Sequence, residues 1–376
     1  MEEIVSKNLC TGCGACCNVC PKKAIKMVED SEGFKYPVID KTKCINCKLC
    51  LKTCPVLNSK ENHFNIKSFA CFNKNEQIRM NSSSGGIFSL IAEEVIKKKG
   101  MVFGAAFDNN YDVIHKYSND ISDFRNSKYV QSDLKNTFKE AEKFLINGKY
   151  VLFTGTTCQI EGLKKFLKKD YDKLYTQDII CHGVPSPKVW QQYLNYVSNN
   201  ERITDINFRN KDKGWQQYSL KIKLKGRTYN KDNQKDEFIM LFLNNLCLRK
   251  SCYNCAFKKD ARNSDITLAD FWGIDNILPD MNDDKGISLV LINSQKGAEL
   301  FELIKNKIEY KEVDFKEAIK ENSIINNSVK MPSKRDQFFT DLDVLSIDKL
   351  YKKYKPAKVT ILRRVYNKIK RIIKSN

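Results

Sequence analysis

Histidine is scarce, with three in 376 residues, which excludes His-rich metal sites. Long apolar runs are missing as well. The longest, such as Met101–Phe107 and Ile287–Ile292, have strand length, far short of the roughly 18 to 20 residues of a membrane span. The acidic start, Met1-Glu2-Glu3, reaches a cysteine motif by Cys10 and gives no secretory signal, so a cytoplasmic setting is expected. No nucleic-acid fold signature accompanies the basic charge, and no nucleic-acid partner is expected. Acid is wholly absent from Lys355–Asn376, which holds eight of the 65 lysines and arginines against 45 acids overall.

That basic end has its own pattern. Leu362, Val365, Ile369, Ile372 and Ile373 recur at helical spacing, with Arg363, Arg364, Lys368, Lys370, Arg371 and Lys374 largely between them. Pro356 suits a helix start. Such an amphipathic helix fits an anionic membrane surface, which would make the protein peripheral at the inner membrane face. It equally fits a terminal helix docked on its own protein. Residues 336–376 are therefore set apart as a basic tail.

What the chain has in abundance is cysteine, fifteen in all. Without a secretory signal this argues for metal or redox chemistry rather than a disulfide framework. Cys10, Cys13, Cys16 and Cys20-Pro21 follow the spacing C-x2-C-x2-C-x3-C-P, and Cys44, Cys47, Cys50 and Cys54-Pro55 repeat it. Two such runs are the pattern of bacterial ferredoxins with two 4Fe–4S clusters, in which the fourth cysteine of each run ligates the other cluster. The expected sets are Cys10, Cys13, Cys16 with Cys54, and Cys44, Cys47, Cys50 with Cys20. Zinc would want CxxC pairs over a longer spacer rather than triplets. Cys17 is read as a non-ligand. Residues 1–60 are thus expected to form a small α+β two-cluster ferredoxin domain.

After a polar linker at Asn58–Lys67, strand and helix patterns alternate. Helices are expected at Gly85–Lys99, Asp133–Ile146 (capped by Ser132 or Asp133), Gln159–Leu167, Pro187–Val197 and Lys296–Lys307. Strands are expected at Met101–Phe107, Val113–Tyr117, Tyr150–Phe153, Leu174–Ile180, Ile203–Phe208, Tyr218–Leu224 and Ile287–Asn293. The sum, over residues 61–335, is an α/β domain with a mixed sheet.

Several loops stand out. Ser82-Ser83-Ser84-Gly85-Gly86 precedes a helix directly, a composition that suits a phosphate at a positive helix end or a simple N-cap. Thr154-Gly155-Thr156-Thr157-Cys158 links a strand to a helix in the same style, and a helix start there would lower the thiol pKa of Cys158. Cys181-His182-Gly183 ends another strand, Cys252 and Cys255 form a CxxC, and Asp265–Gly273 reads as an aromatic-acidic turn. Cys158, Cys181, Cys252 and Cys255 could close a third 4Fe–4S site. A zinc site, a redox disulfide or scattered buried thiols are the alternatives. Cys71 and Cys247 are read as packing residues.

The segments SSSGGIFSLIAEEVI, SKYVQSDL, TGTTCQIEGL, CHGVPSP and CYNCAFK…R…SDITLADFWG occur in this order. In them the chain resembles the coenzyme F420 hydrogenase/dehydrogenase beta-subunit family, in the form with an N-terminal two-cluster ferredoxin, over roughly residues 1–335. The resemblance implies an α/β fold with FAD that passes electrons between clusters and a two-electron acceptor, in some members F420. It makes Ser83, Ser84, Gly85, Gly86, Thr154, Gly155 and Thr156 candidates for the flavin diphosphate, and Lys128 and Tyr129 candidates to lie along the cofactor. It also places Cys158, Cys181, Cys252 and Cys255 on the family's cysteine motifs, which favours the third cluster. Thr157 stands where relatives often carry proline. Stand-alone bacterial members often accompany surface-polysaccharide genes, so the resemblance does not fix the acceptor. The expected function is an iron–sulfur flavoprotein oxidoreductase, fed by a carrier such as a ferredoxin and suited to a surface-polysaccharide pathway. His182 is a weak candidate proton donor. The alternative is a non-catalytic electron-transfer subunit of a larger redox complex.

Overall fold

The computed structural model describes residues 3–59 and 64–355. Its strands, in chain order, are β1 (Ile25–Glu29), β2 (Lys35–Ile39), β3 (Lys67–Asn73), β4 (Met101–Phe107), β5 (Val113–Ser118), β6 (Val151–Thr154) and β7 (Leu174–Ile179). They continue with β8 (Ile203–Asn210), β9 (Ser219–Leu224), β10 (Thr228–Asp232), β11 (Ile266–Asp270), β12 (Ser288–Ile292) and β13 (Ile308–Val313). Eight form one sheet in the order β13-β3-β12-β11-β7-β6-β4-β5. β4, β6, β7 and β11 run parallel at its centre, and the flanking pairs are antiparallel. The mixed sheet expected of the middle region is therefore present. β8, β9 and β10 make a separate antiparallel sheet.

The central strands are buried on both faces, as parallel strands under helices must be. Val151, Leu152 and Phe153 are fully buried, as are Leu289, Val290 and Leu291. Helix Ile87–Lys97 covers one face with Ile87, Leu90, Ile91 and Val95, while helix Thr157–Leu167 presents Ile160 and Leu163 to another part of the core. Both run from the carboxyl side of the sheet, where open α/β sheets carry their sites.

Several local expectations change. Asp265–Gly273 is not a turn: Ile266–Asp270 is β11, held between β7 and β12, because its alternation of apolar and small residues fits a buried ladder. The helix expected from Asp133 starts at Thr137. Asp133 does not cap it. Its backbone instead pairs with β5, accepting from His115 N–H and donating to the Val113 carbonyl. The folded body also passes the expected boundary at 335. Helices Arg335–Leu342 and Ile347–Tyr354 bury Phe338, Leu342, Leu350 and Tyr354 in the largest core cluster. The amphipathic helix expected within Lys355–Asn376 lies, from residue 356 onward, outside the described residues.

The N-terminal module does not hang from its linker. Its helix Ala15–Val19 packs on helix Thr157–Leu167 so closely that a Cβ on Gly162 would stand 3.0 Å from Cys13 Sγ. Arg335 clamps Glu32 of the β1–β2 turn at 2.5 Å, and Asn18 Nδ2 donates to the Lys135 carbonyl at 3.0 Å. Among the described residues no helix is long and apolar enough to cross a membrane.

Candidate redox centre

Twelve cysteines fall into three groups of four, each lining one cavity. Cys20, Cys44, Cys47 and Cys50 line the first, and Cys10, Cys13, Cys16 and Cys54 line the second. Each C-P cysteine thus stands with the other run's triplet. The reason is local: Gly12 and Gly14, both at φ +70°, turn the backbone around the sulfurs so that a triplet faces one side and its fourth cysteine leaves on the next helix. Cys17 lines neither cavity and donates its thiol to the Ile25 carbonyl at 3.0 Å.

The third cavity is built by tertiary structure. Cys158 comes from the helix after β6, Cys181 from just beyond β7, and Cys252 and Cys255 from the short helix Lys250–Asn254 and its end. Arg249, Lys258 and Arg262 line the same cavity, and among the described residues no carboxylate does. Arg249 is fully buried and is held by neutral acceptors. It donates to the Cys10 carbonyl at 2.7 Å, to Cys10 Sγ at 3.7 Å, to the Lys35 carbonyl at 3.0 Å and to Gln131 Oε1 at 3.1 Å. Its guanidinium lies 4.0 Å from the Tyr36 ring centroid. Arg262 is fixed by Asp178, at the end of β7, at 2.9 Å. Asp178 also accepts from the hydroxyls of Thr157, Ser264 and Thr267. Lys258 bonds the carbonyls of Cys181 and Ile324, and burial lowers its pKa.

The helix start does not acidify Cys158. Burial, with the neighbouring thiols adding to it, pushes that thiol well above its usual range, and burial raises Cys252 to about 12. Four half-buried thiols sharing a cavity with three cations suit an anionic metal–sulfur group, which would supply the positive metal the thiolates need. Cys71 and Cys247 are fully buried away from all three cavities, as packing residues.

A larger cavity of about 450 Å³ opens at the carboxyl ends of β4, β6 and β7, within the roughly 300–1,000 Å³ of small-molecule sites. Ser83, Ser84, Gly86, Lys128, Tyr129, Thr154, Gly155 and Thr156 all line it, as does His182. Gly85 does not. Its N–H is taken by Ser288 Oγ at 3.0 Å, and a Cβ there would stand 2.5 Å from the Cys71 carbonyl. That glycine lets the loop lie against β3 and β12 and offers nothing to a ligand.

The two candidate phosphate loops differ. Gly86, at φ +82°, starts helix Ile87–Lys97 with no side-chain cap, and Ile87, Phe88 and Ser89 of its first turn line the cavity. The second loop has spent its groups. Gly155 N–H goes to the Gln177 carbonyl at 3.1 Å and Thr156 N–H to Gln159 Oε1 at 2.9 Å. The Thr154 hydroxyl goes to the Phe103 carbonyl at 2.9 Å. Lys128 donates to the carbonyls of Asp123 and Arg125, and burial lowers its pKa to about 7. Tyr129 stacks on Phe242 and accepts from Arg209 at 3.2 Å.

His115, which sequence reasoning passed over, forms part of the wall. Gln159 Nε2 donates to Ser132 Oγ, which in turn donates to His115 Nδ1 at 2.8 Å, so Nε2–H points to the Thr154 carbonyl at 2.9 Å. Burial holds its pKa at about 4. His182 has Nε2 on Asn245 Oδ1 at 2.6 Å, which leaves Nδ1 as an acceptor, and burial lowers its pKa too. Arg125 Nε, Gln177 Oε1 and Arg209 Nε, on three residues lining this cavity, are buried without hydrogen-bond partners among the described residues. Such atoms fit a polar ligand that completes them.

The cavities share walls. Thr11 and Arg249 touch both the Cys10 group and the third thiol cavity, and Thr156, Cys181, His182, Gly183 and Val184 line both that cavity and the large one. Residues 148–317 match the family described as the C terminus of the coenzyme F420 hydrogenase/dehydrogenase beta subunit, and residues 9–58 match a 4Fe-4S dicluster domain. The central part of the chain is therefore similar to the C-terminal part of this beta subunit, with a segment similar to a dicluster domain in front. The dicluster match supports iron–sulfur clusters in the N-terminal module. A chain of the F420-reducing NiFe hydrogenase complex from Methanosarcina barkeri is similar at 15% identity and a TM-score of 0.47, over 79% of this chain and 93% of that one. No curated protein matches.

Proposed function

We propose that the chain is a flavin- and iron–sulfur-dependent oxidoreductase that carries electrons from the dicluster module through a third 4Fe–4S cluster to FAD in the large cavity. The shared walls carry this reading: a thiol cavity stands between the dicluster module and a flavin-sized cleft, touching each. When bound, the clusters would pass single electrons and the flavin would pair them for a two-electron acceptor.

The protein's own residues position and tune. Cys158, Cys181, Cys252 and Cys255 would hold the third cluster, with Arg249, Lys258 and Arg262 offsetting its negative charge. Among the described residues no group of three or more His, Cys, Asp or Glu is set for a single ion. The four thiols surround a space rather than a point, which favours a cluster over zinc. The open helix end at Gly86, with Ser83 beside it, would take the flavin diphosphate. The spent Thr154–Thr156 turn would serve as the wall between flavin and cluster. His182 holds its proton at Nε2 and could accept one at Nδ1 where the two cavities meet.

Anaerobic purification with metal, flavin and acceptor assays tests the reading. About twelve irons and one FAD per chain are expected, with the flavin reduced through the dicluster module. A protein that holds no flavin, and takes up none on adding FAD, would overturn it. Bound flavin that reduces no small acceptor would favour the electron-transfer-subunit reading instead.

A further inference from the structure

We propose that the surface over the Cys20, Cys44, Cys47 and Cys50 cavity is the docking site for an acidic one-electron carrier protein; this rests on the reading that the cavity holds a cluster. Of the fifteen cysteines, only Cys47 is exposed. Cys10 of the second group is bonded by Arg249 of the main body, and Cys158 and Cys181 of the third follow strands of the large sheet. Electron transfer between proteins needs close approach, and Cys47 is where a partner can come nearest to any of the thiol groups.

The surroundings fit one kind of partner. Ile45, at the cavity rim, is 57% exposed, an apolar contact left uncovered by the described residues. Lys22, Lys23 and Lys48 are exposed around it, and none forms an ion pair among the described residues. The one carboxylate between Gly33 and Ser59, Asp40, is tied to Lys43 at 2.8 Å and to the Thr42 hydroxyl at 2.6 Å. Among the described residues the rim is therefore cationic, with an apolar centre and a thiol at its edge. Small redox interfaces are built this way: opposite charge steers the encounter and a modest apolar contact holds it briefly. An acidic ferredoxin-type carrier meets these requirements, and a basic carrier would be repelled.

The test uses the full-length, cluster-loaded protein and a reduced acidic two-cluster ferredoxin as probe. Stopped-flow absorbance follows cluster reduction and flavin reduction separately. At about 10 mM ionic strength the Lys22→Glu/Lys48→Glu double variant should be reduced more than tenfold slower than the unaltered protein. The two rates should converge by about 0.5 M salt, where such charges are screened. Ile45→Asp should be slower at every salt concentration. Equal rates and equal salt dependence in the double variant would overturn the proposal, as would a loss that persists unchanged at high salt. A separate result distinguishes the underlying reading. Charge-dependent reduction of the dicluster module with no electrons reaching the flavin would leave the docking site standing and sink the electron path.

Discussion

The dicluster module and the thiol cavity beside the large cleft use the same ligand and build it in opposite ways. In the module, eight cysteines come from two runs of eleven residues; the charged residues lining the cavities are the surface lysines Lys22 and Lys48, and Arg249 of the main body reaches Cys10. In the second centre the four thiols come from three loops spread between Cys158 and Cys255, and three cations line it. Two of these, Arg249 and Arg262, are almost wholly buried. A local scaffold can assemble its ligands from backbone turns alone. A scattered one must first form the sheet, and the same folding brings Arg249 and Arg262 beside it as fixed positive charge.

Removing one ligand from each kind of site tests this contrast most strongly. Cys255→Ser should cost about four of about twelve irons and slow flavin reduction by the module at least a hundredfold, while the dicluster signals persist in electron paramagnetic resonance. Unchanged iron would mean that the two centres are not alike at all.

Arg249→Met comes next, because this residue joins the two regions. It strands the acceptors at Cys10, Lys35 and Gln131 in a buried setting, so unfolding free energy should fall by about 3 kcal/mol. Losing the positive charge should also lower the reduction potentials of the Cys10-group cluster and of the proposed third cluster. Arg249→Lys should restore much of the potential but not the stability, since an ammonium cannot serve the forked acceptors. Denaturant titration and redox potentiometry separate the two effects.

The large cavity's wall offers a comparison by pH. His115 folds neutral, with its pKa lowered from 6.5 to about 4. The unfolded chain therefore binds more protons between those values. The stability from keeping it neutral is complete above about pH 6.5 and is lost as pH falls toward 4, by about 3 kcal/mol. His115→Gln should be less stable at pH 7 and should lack that part of the acid slope in pH-dependent unfolding.

The smallest effect compares the two loops at the large cavity, where FAD is proposed to bind. Ser83→Asp puts a carboxylate beside the open helix start and should weaken FAD retention about tenfold, roughly 1.4 kcal/mol. Thr156→Ala should change FAD retention far less, and should instead perturb Cys158, whose Sγ is 3.1 Å from the Thr156 hydroxyl. Equilibrium dialysis of FAD reads the first, and cluster spectra read the second.

Local pattern was enough to specify the ferredoxin module down to its crossed cysteine sets, because ligand spacing there is short and the repeat leaves little freedom. It was also enough for the mixed sheet and its long central elements, since buried strands and amphipathic helices write their periods locally. β11 was missed as a strand because its apolar, small and acidic residues resemble a turn until β7 and β12 enclose them. Lys258 and Arg262 lie inside the segment that begins CYNCAFK, yet nothing local marks them as facing the thiols. Arg249 and His115 had no local signal, because a lone basic or imidazole side chain acquires its role from what is folded against it. It took the assembled sheet to settle that Gly86 opens to the cleft while Gly85 and the Thr154–Thr156 turn have their groups spent. Hydrogen bonds are exclusive: a donor already engaged across the fold is not available to a ligand, and that allocation is made only when distant strands meet.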